Sequence, residues 1–425
     1  MSPSRSKNGK NDDSIRRYKT LRRGAIAAAI LLLIGGAAIY TYWLVPIREQ
    51  AGARVLVEKG NALLQAGQTM KAIDHYSRAI QLDATSVLAH NGLGMAYRGA
   101  GDFPRAERYL RRAISLDSGA VETYNNLAIV YAEGGRLREA EATYRKALTI
   151  DSTSAVMRFN VGAFYAQVGS YAAAAEHYKR AIELRHDLYQ AHNNLALAYI
   201  ALGNTGDAVT EFQTSIRLNP RQGRAYYNLG LALEEQGNYE TAVAHYRKAL
   251  GNGLDNPDVH YHLGLALEGL RQQMQAKAQY ERVLSLDSAH KEAHYRLGLI
   301  AVGQANFKDA EEFFTAAIDI DPQYADAHYN LARLFMKQGS RDAATREMEL
   351  FRSMSAYNRE VESIERILLY LPRDSKAHLQ LGQIHEKYQQ HDRAIASYRM
   401  ALSIRPGFQA ARQALSAVLE MSESR

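Results

Sequence analysis

Fourteen histidines and no cysteine bound the chemistry open to this chain of 425 residues. Without a thiol there is no thiolate zinc site, iron–sulfur cluster, cysteine nucleophile, disulfide or lipid-bearing cysteine. Metal or acid–base chemistry would fall to histidine, so histidine spacing is the first test. His385-Glu386 opens a zinc-protease pattern, but Gln389 stands where the second imidazole belongs. His260-x-His262 and His290-x3-His294 each bring two imidazoles together in sequence. Against a metal reading, His260 and His294 share a register with His90, His192, His328 and His378 that points to packing. No Gly-x-Ser-x-Gly, P-loop or dinucleotide-binding glycine pattern occurs. The expectation is a protein without catalytic residues, cofactor, metal or small-molecule substrate.

That register comes from an internal repeat. The stretch AYYNLGLALEEQGNYETAVAHYRKAL (225–250) restates TYNNLAIVYAEGGRLREAEATYRKAL (123–148). Starts fall every 34 residues at 53, 87, 121, 155, 189, 223, 257, 291 and 325, and a tenth unit begins at 375. The six histidines all occupy position 4. Positions 4, 7, 8 and 11 make one helical stripe and positions 20, 24 and 27 another, so each unit reads as two amphipathic helices. A glycine near position 15, such as Gly203, permits the left-handed residue that ends the first helix. One such hairpin cannot bury its apolar faces alone; stacking on its neighbours does so, giving one continuous core.

The pattern resembles the tetratricopeptide repeat family. Repeat 223–256 carries Tyr226, Leu229, Gly230, Leu233, Gly237, Ala242, Tyr246 and Ala249 at the family's positions. Repeat 325–358 carries His328, Leu331, Ala332, Phe335, Gly339, Ala344 and Met348. The family's closing proline appears as Pro220, Pro322 and Pro406, and the resemblance extends over residues 53–420. It implies an all-α, right-handed superhelix of about ten helix-turn-helix repeats that binds proteins. The expected organisation is nine repeats over 53–358, an inserted amphipathic helix over 359–374, a tenth repeat over 375–408 and a closing helix and tail over 409–425. Two turns are expected to differ, because Arg271 and Ala305 replace the position-15 glycine, and Gly251-Asn252-Gly253 marks a possible bend.

A stripe at positions 2, 5, 6, 9 and 12 faces away from the packing stripe. Position 6 is asparagine in four consecutive repeats, as Asn126, Asn160, Asn194 and Asn228, and again as Asn330. Position 9 supplies Ile129, Leu197, Leu231, Leu265 and Leu299, and position 5 supplies Phe159, Tyr227, Tyr261, Tyr295 and Tyr329. In the family this stripe lines the partner-binding surface, and the asparagine row resembles that of O-linked N-acetylglucosamine transferase superhelices. An amide side chain both donates and accepts, so it can hold a peptide backbone without reading its sequence. The competing reading is that asparagine here supports local packing.

The first fifty residues are different. Residues 1–23 carry eight lysines and arginines against two aspartates, which accounts for +6 of the chain's +7 net charge. The repeats are therefore nearly neutral, and no nucleic-acid partner is expected. Residues 24–45 hold no charge and end in Tyr40, Tyr42 and Trp43. That is long enough to span a bilayer, with an aromatic belt at one end. A cleavable signal peptide needs a shorter apolar core, so an uncleaved anchor is expected, followed by a linker over 46–52. The basic tail puts the N-terminus in the cytoplasm and the repeats across the membrane, in the periplasm of a bacterium with two membranes. The expected function is a scaffold or assembly factor, held in the inner membrane, that binds an extended peptide or partner protein of an envelope complex. Such complexes include pilus, secretion, polysaccharide-export and cytochrome-maturation machineries. Two other readings stand beside it: a membrane scaffold facing the cytoplasm, and a regulatory subunit that presents substrate to a separate transferase.

Overall fold

The structure, a computed structural model, describes residues 45–423. These residues form 21 α-helices and no strand. They fall into two compact units, one ending at Leu218 and one beginning at Asn219. The first unit contains α1 (Val45–Gln65), α2 (Thr69–Leu82), α3 (Val87–Gly99), α4 (Phe103–Leu116), α5 (Val121–Glu133), α6 (Leu137–Ile150), α7 (Ala155–Gln167), α8 (Tyr171–Leu184), α9 (Tyr189–Ala201) and α10 (Thr205–Leu218). The second contains α11 (Gly223–Glu235), α12 (Tyr239–Gly251), α13 (Pro257–Gly269), α14 (Gln273–Leu286), α15 (Lys291–Gly303), α16 (Phe307–Ile320), α17 (Ala325–Lys337), α18 (Arg341–Tyr370), α19 (Ser375–Lys387), α20 (His391–Ile404) and α21 (Gln409–Glu423).

Each repeat is one hairpin, and its core follows from two positions. Position 20 is alanine in all ten repeats, and every one of these alanines is buried. Position 24 is mostly aromatic, and Tyr76, Tyr178, Phe212, Tyr246, Tyr280, Phe314 and Tyr398 are wholly buried there. Burying one such ring contributes about 1.5–3 kcal/mol. The ring needs a small residue opposite, at position 8. A Cβ added to Gly230 would lie 2.5 Å from the Tyr246 ring, and one on Gly382 would meet Tyr398 as closely. The small residues are thus what lets the two helices of a hairpin approach.

The turn after the first helix is the same throughout. Gly203 has φ 79°, and the Asn204 N–H reaches the Tyr199 carbonyl at 2.8 Å, closing an otherwise open helix end. The expectation that Arg271 and Ala305 make different turns is overturned. Their φ values are 57° and 56°, and Gln272 and Asn306 make the same back-bonds, each at 2.9 Å. Gln389 follows suit at φ 60°. Stacking of the flanking helices imposes the turn, so these side chains accept the left-handed backbone instead of changing it. The Gly251–Gly253 stretch shortens α12 to 13 residues and ends it on Gly253 at φ 82°; Asn256 then caps α13 through its side chain.

Two boundaries also move. Residues 46–52, expected as a linker, are helical, because α1 runs unbroken from Val45 into the first repeat. Residues 359–374, expected as a separate helix, instead continue the second helix of the ninth repeat. α18 is 30 residues long, since no glycine or proline interrupts it before Pro372. The tenth repeat packs on that extension: Tyr357 is buried, its hydroxyl 3.0 Å from His385 Nδ1 and 3.0 Å from Arg393 Nη1. The proposed membrane segment, apart from Val45, lies outside the described residues. Among the described residues no helix is long and apolar enough to cross a membrane.

Candidate functional site

The position-4 histidines are packing groups with a fixed partner. His192 donates from Nδ1 to the Glu211 carboxylate at 2.6 Å and meets the His186 carbonyl at 3.2 Å through Nε2. His328 repeats this with Glu347 and the Pro322 carbonyl, and His260 with Gln279 and Asp255. In these three hairpins the partner stands at position 23. Where position 23 is aromatic the rings meet instead: His90 stacks on Tyr109, and His294 lies tilted against Phe313. Tyr226 and His245 make the same pair with the roles reversed. Both nitrogens of His260 are therefore engaged within the protein, while His262 turns to Glu234 at 3.3 Å. His290 caps α15 by accepting from the Ala293 N–H, and His294 meets the Ser288 carbonyl. His385 contacts Tyr357, and Glu386 accepts from the Tyr398 hydroxyl at 2.6 Å.

The asparagine row divides. Asn126 is buried; it donates to Asn91 Oδ1 at 3.0 Å and accepts from Asn125. Its amide is spent inside the protein, which removes Asn126 from the candidate groove. Asn160 donates to Asn125 Oδ1 at 2.8 Å, so an amide chain links three successive repeats. Asn330 is likewise engaged, by the Tyr295 hydroxyl at 3.1 Å and the Asp326 carbonyl. Asn194 accepts from Asn193 at 3.1 Å and makes a long contact of 3.5 Å to the Tyr178 hydroxyl. Asn228 is half-exposed and makes no side-chain hydrogen bond to another described residue. The Asn126 amide is engaged on both sides, while Asn160, Asn194, Asn228 and Asn330 keep polar atoms to offer.

The position-5 aromatics are also partly withdrawn. Phe159 lies 5.7 Å from Tyr178, Tyr227 6.0 Å from Tyr246, Tyr261 5.9 Å from Tyr280 and Tyr295 6.0 Å from Phe314, all within their own hairpins. Burial pushes the Tyr227 hydroxyl up to about 12. Tyr329 remains exposed. These rings form the seam beside the stripe more than its open surface. Position 9 does face outward: Leu197 is 43% exposed, and Ile129, Leu231, Leu265 and Leu299 are half-buried.

Two concavities lie on this stripe. In the first unit a cavity of about 150 Å³ opens beside Ile129, Asn160, Ala163 and Phe164. It exists because Ala163 occupies position 9, where neighbouring repeats place Ile129 and Leu197. In the second unit a pocket of about 590 Å³ lies over α11, α13 and α15, with Leu231 and Leu265 as its apolar part. Its polar part is ionic: Glu234 holds His262, and Glu268 holds Arg296 at 3.2 Å. Sequence reasoning named the leucines and missed the ionic residues. A signal existed. Position 12 is Ala132, Ala166 or Ile200 in three consecutive repeats, then Glu234 and Glu268, and in each following repeat position 6 changes from asparagine to His262 or Arg296.

Models described as "Tetratricopeptide repeat" match residues 91–155, 193–258, 261–325, 301–350 and 375–408, and one described as "TPR repeat" matches 60–101 and 162–203. The chain belongs to the tetratricopeptide repeat family. No curated protein matches this tetratricopeptide repeat chain over its length. Among solved structures, "Crystal structure of MamA" is 30% identical, covering 38% of this chain and 94% of that one, with a TM-score of 0.35. The pilF protein of Pseudomonas aeruginosa is 23% identical over 48% of this chain and 93% of its own, with a TM-score of 0.44. YrrB, titled a TPR protein with an unusual peptide-binding site, is 21% identical over 56% and 98%, with a TM-score of 0.37.

As a tetratricopeptide repeat protein, the chain presents a protein–protein interaction scaffold. Its first helices expose a mixed apolar and amide surface that stacking does not consume.

Proposed function

We propose that this protein is a non-enzymatic scaffold that holds an extended peptide or partner protein along the first-helix stripe, in an envelope complex assembled at the inner membrane. The observation that carries the reading is that each unit by itself turns leucines outward, Leu197 in the first and Leu231 and Leu265 in the second, on a helix face its hairpins do not use for stacking. Apolar side chains left on such a face mark an interaction surface. Half-satisfied amides such as Asn160 and Asn228 beside them supply backbone hydrogen bonds worth about 1 kcal/mol each, so apolar contact supplies most of the affinity.

Residues 24–45 are proposed as the anchor, with the basic tail in the cytoplasm and the repeats on the other side. The support is the charge-free length of that segment and the basic side chains before it. A reporter fused to the C-terminus, active only outside the cytoplasm, tests the topology. Leu231→Ser with Leu265→Ser tests the groove: the melting temperature should hold while partner capture falls. Unchanged capture by the folded double variant would remove the groove from the account.

A further inference from the structure

The pocket of the second unit, beside Leu231 and Leu265, carries a charge imbalance. Two carboxylates, Glu234 and Glu268, line it against one guanidinium, that of Arg296. Glu234 is anchored by the Tyr246 hydroxyl at 2.5 Å and by His262, contacts that need no net positive charge. Glu268 meets Arg296 through a single contact at 3.2 Å, not a bidentate pair. Burial pushes the Glu268 carboxyl above its ordinary range in spite of Arg296, so its negative charge is under-compensated within the protein.

A second observation is independent of charge. Tyr280 is wholly buried behind Glu268 and Arg296, with its hydroxyl directed at the Glu268 carboxyl. Arg296 Nε is buried and has no hydrogen-bond partner. Buried polar groups are nearly always satisfied, so an unsatisfied donor at the base of a pocket calls for an explanation. Leu231 and Leu265 form the apolar wall above them. The pocket therefore offers a wall for an alkyl stem, carboxylates for a cation and the unspent donors of Arg296 for a carbonyl. Its volume of about 590 Å³ falls in the usual ligand-pocket range of roughly 300–1,000 Å³.

We propose that this pocket takes a basic side chain, arginine or lysine, of an extended peptide segment of the partner. The alkyl stem lies on Leu231 and Leu265, the cation sits among the glutamates, and Arg296 turns to a backbone carbonyl of the same segment. This rests on the peptide-groove reading above and adds its specificity. A bare metal ion does not fit the same description, since it leaves the leucine wall and the unspent donors unused, and among the described residues no cluster of three metal-type ligands occurs.

The test uses the full chain in detergent and three short peptides with blocked ends, each with photoreactive leucines flanking one central residue: arginine, glutamine or glutamate. Adducts are mapped by mass spectrometry. The arginine peptide should label the Leu231–Leu265 region about tenfold more than the glutamine peptide, the glutamate peptide least, and the difference should shrink at high salt. Glu234→Gln with Glu268→Gln should bring the arginine yield down to the glutamine yield. Should that variant lose its fold, the three-peptide comparison on the unaltered chain decides alone. Equal labelling by arginine and glutamine peptides overturns the basic-side-chain assignment and leaves the groove standing. Absence of labelling on this face by any peptide overturns both.

Discussion

His192 Nδ1 lies 2.6 Å from Glu211 Oε2, and this contact is one instance of a pairing between positions 4 and 23 within a hairpin. Gln279 accepts the same role toward His260 at 2.7 Å. The same position-4 histidine takes a hydrogen bond where position 23 is Glu211 or Gln279 and a ring contact where it is Tyr109 or Phe313. Glu211→Ala leaves a buried imidazole nitrogen without a partner and should cost about 1–2 kcal/mol. Glu211→Gln keeps the acceptor, as Gln279 does, and should cost less than half as much. Denaturant melts of the two variants check the order.

The histidines also set a pH dependence. Burial holds His90, His177, His245 and His385 below the ordinary histidine value. Each contributes stability that is present above its unfolded pKa and lost as pH falls through the folded one. His192 runs the other way: Glu211 raises it against the burial penalty, so its contribution is full below the unfolded pKa and lost as pH rises through the folded one. Four groups against one predict a melting temperature that falls between about pH 7 and pH 5. His245→Phe, which keeps the ring against Tyr226, should make that fall shallower. A melting temperature that rises on acidification would contradict the assignment.

The shared turn predicts opposite effects at equivalent positions. Arg271→Gly and Ala305→Gly relieve a left-handed backbone that a Cβ disfavours, and each should stabilise by about 1 kcal/mol. Gly203→Ala, at φ 79° with open space around its missing Cβ, should lose about the same amount. Thermal melts of the three single variants suffice.

Ala163 leaves the cavity in the first unit, and neighbouring repeats accept larger residues at that position. Ala163→Leu should fold with an unchanged melting temperature. If the cavity receives a partner side chain, peptide crosslinking to Asn160 and its surroundings should fall severalfold, while crosslinking in the second unit persists.

Much of this was legible in sequence because a repeat presents the same physical problem ten times. Ala72 and Ala106 announce position 20, and Gly230 against Tyr246 announces the close approach. The turn at Arg271 was misread because residue type was weighed alone; the stacked helices on either side outweigh a cost of about 1 kcal/mol. The long α18 was missed because repeat phase suggested a break, whereas nothing local stops a helix before Pro372. The asparagine row was half-read. Position on a helix face told which way Asn126 and Asn160 point, but not that Asn91 and Asn125 wait there to satisfy them.

The central claim is that partners lie along the first-helix stripe. A photoreactive residue placed singly at Leu197, Leu231 or Leu265, and at Glu312 on a second helix as the comparison, tests it in intact cells. The account predicts discrete adducts with a partner protein from the three leucine positions and none from Glu312. Adducts from Glu312 with silence at all three leucines would contradict it.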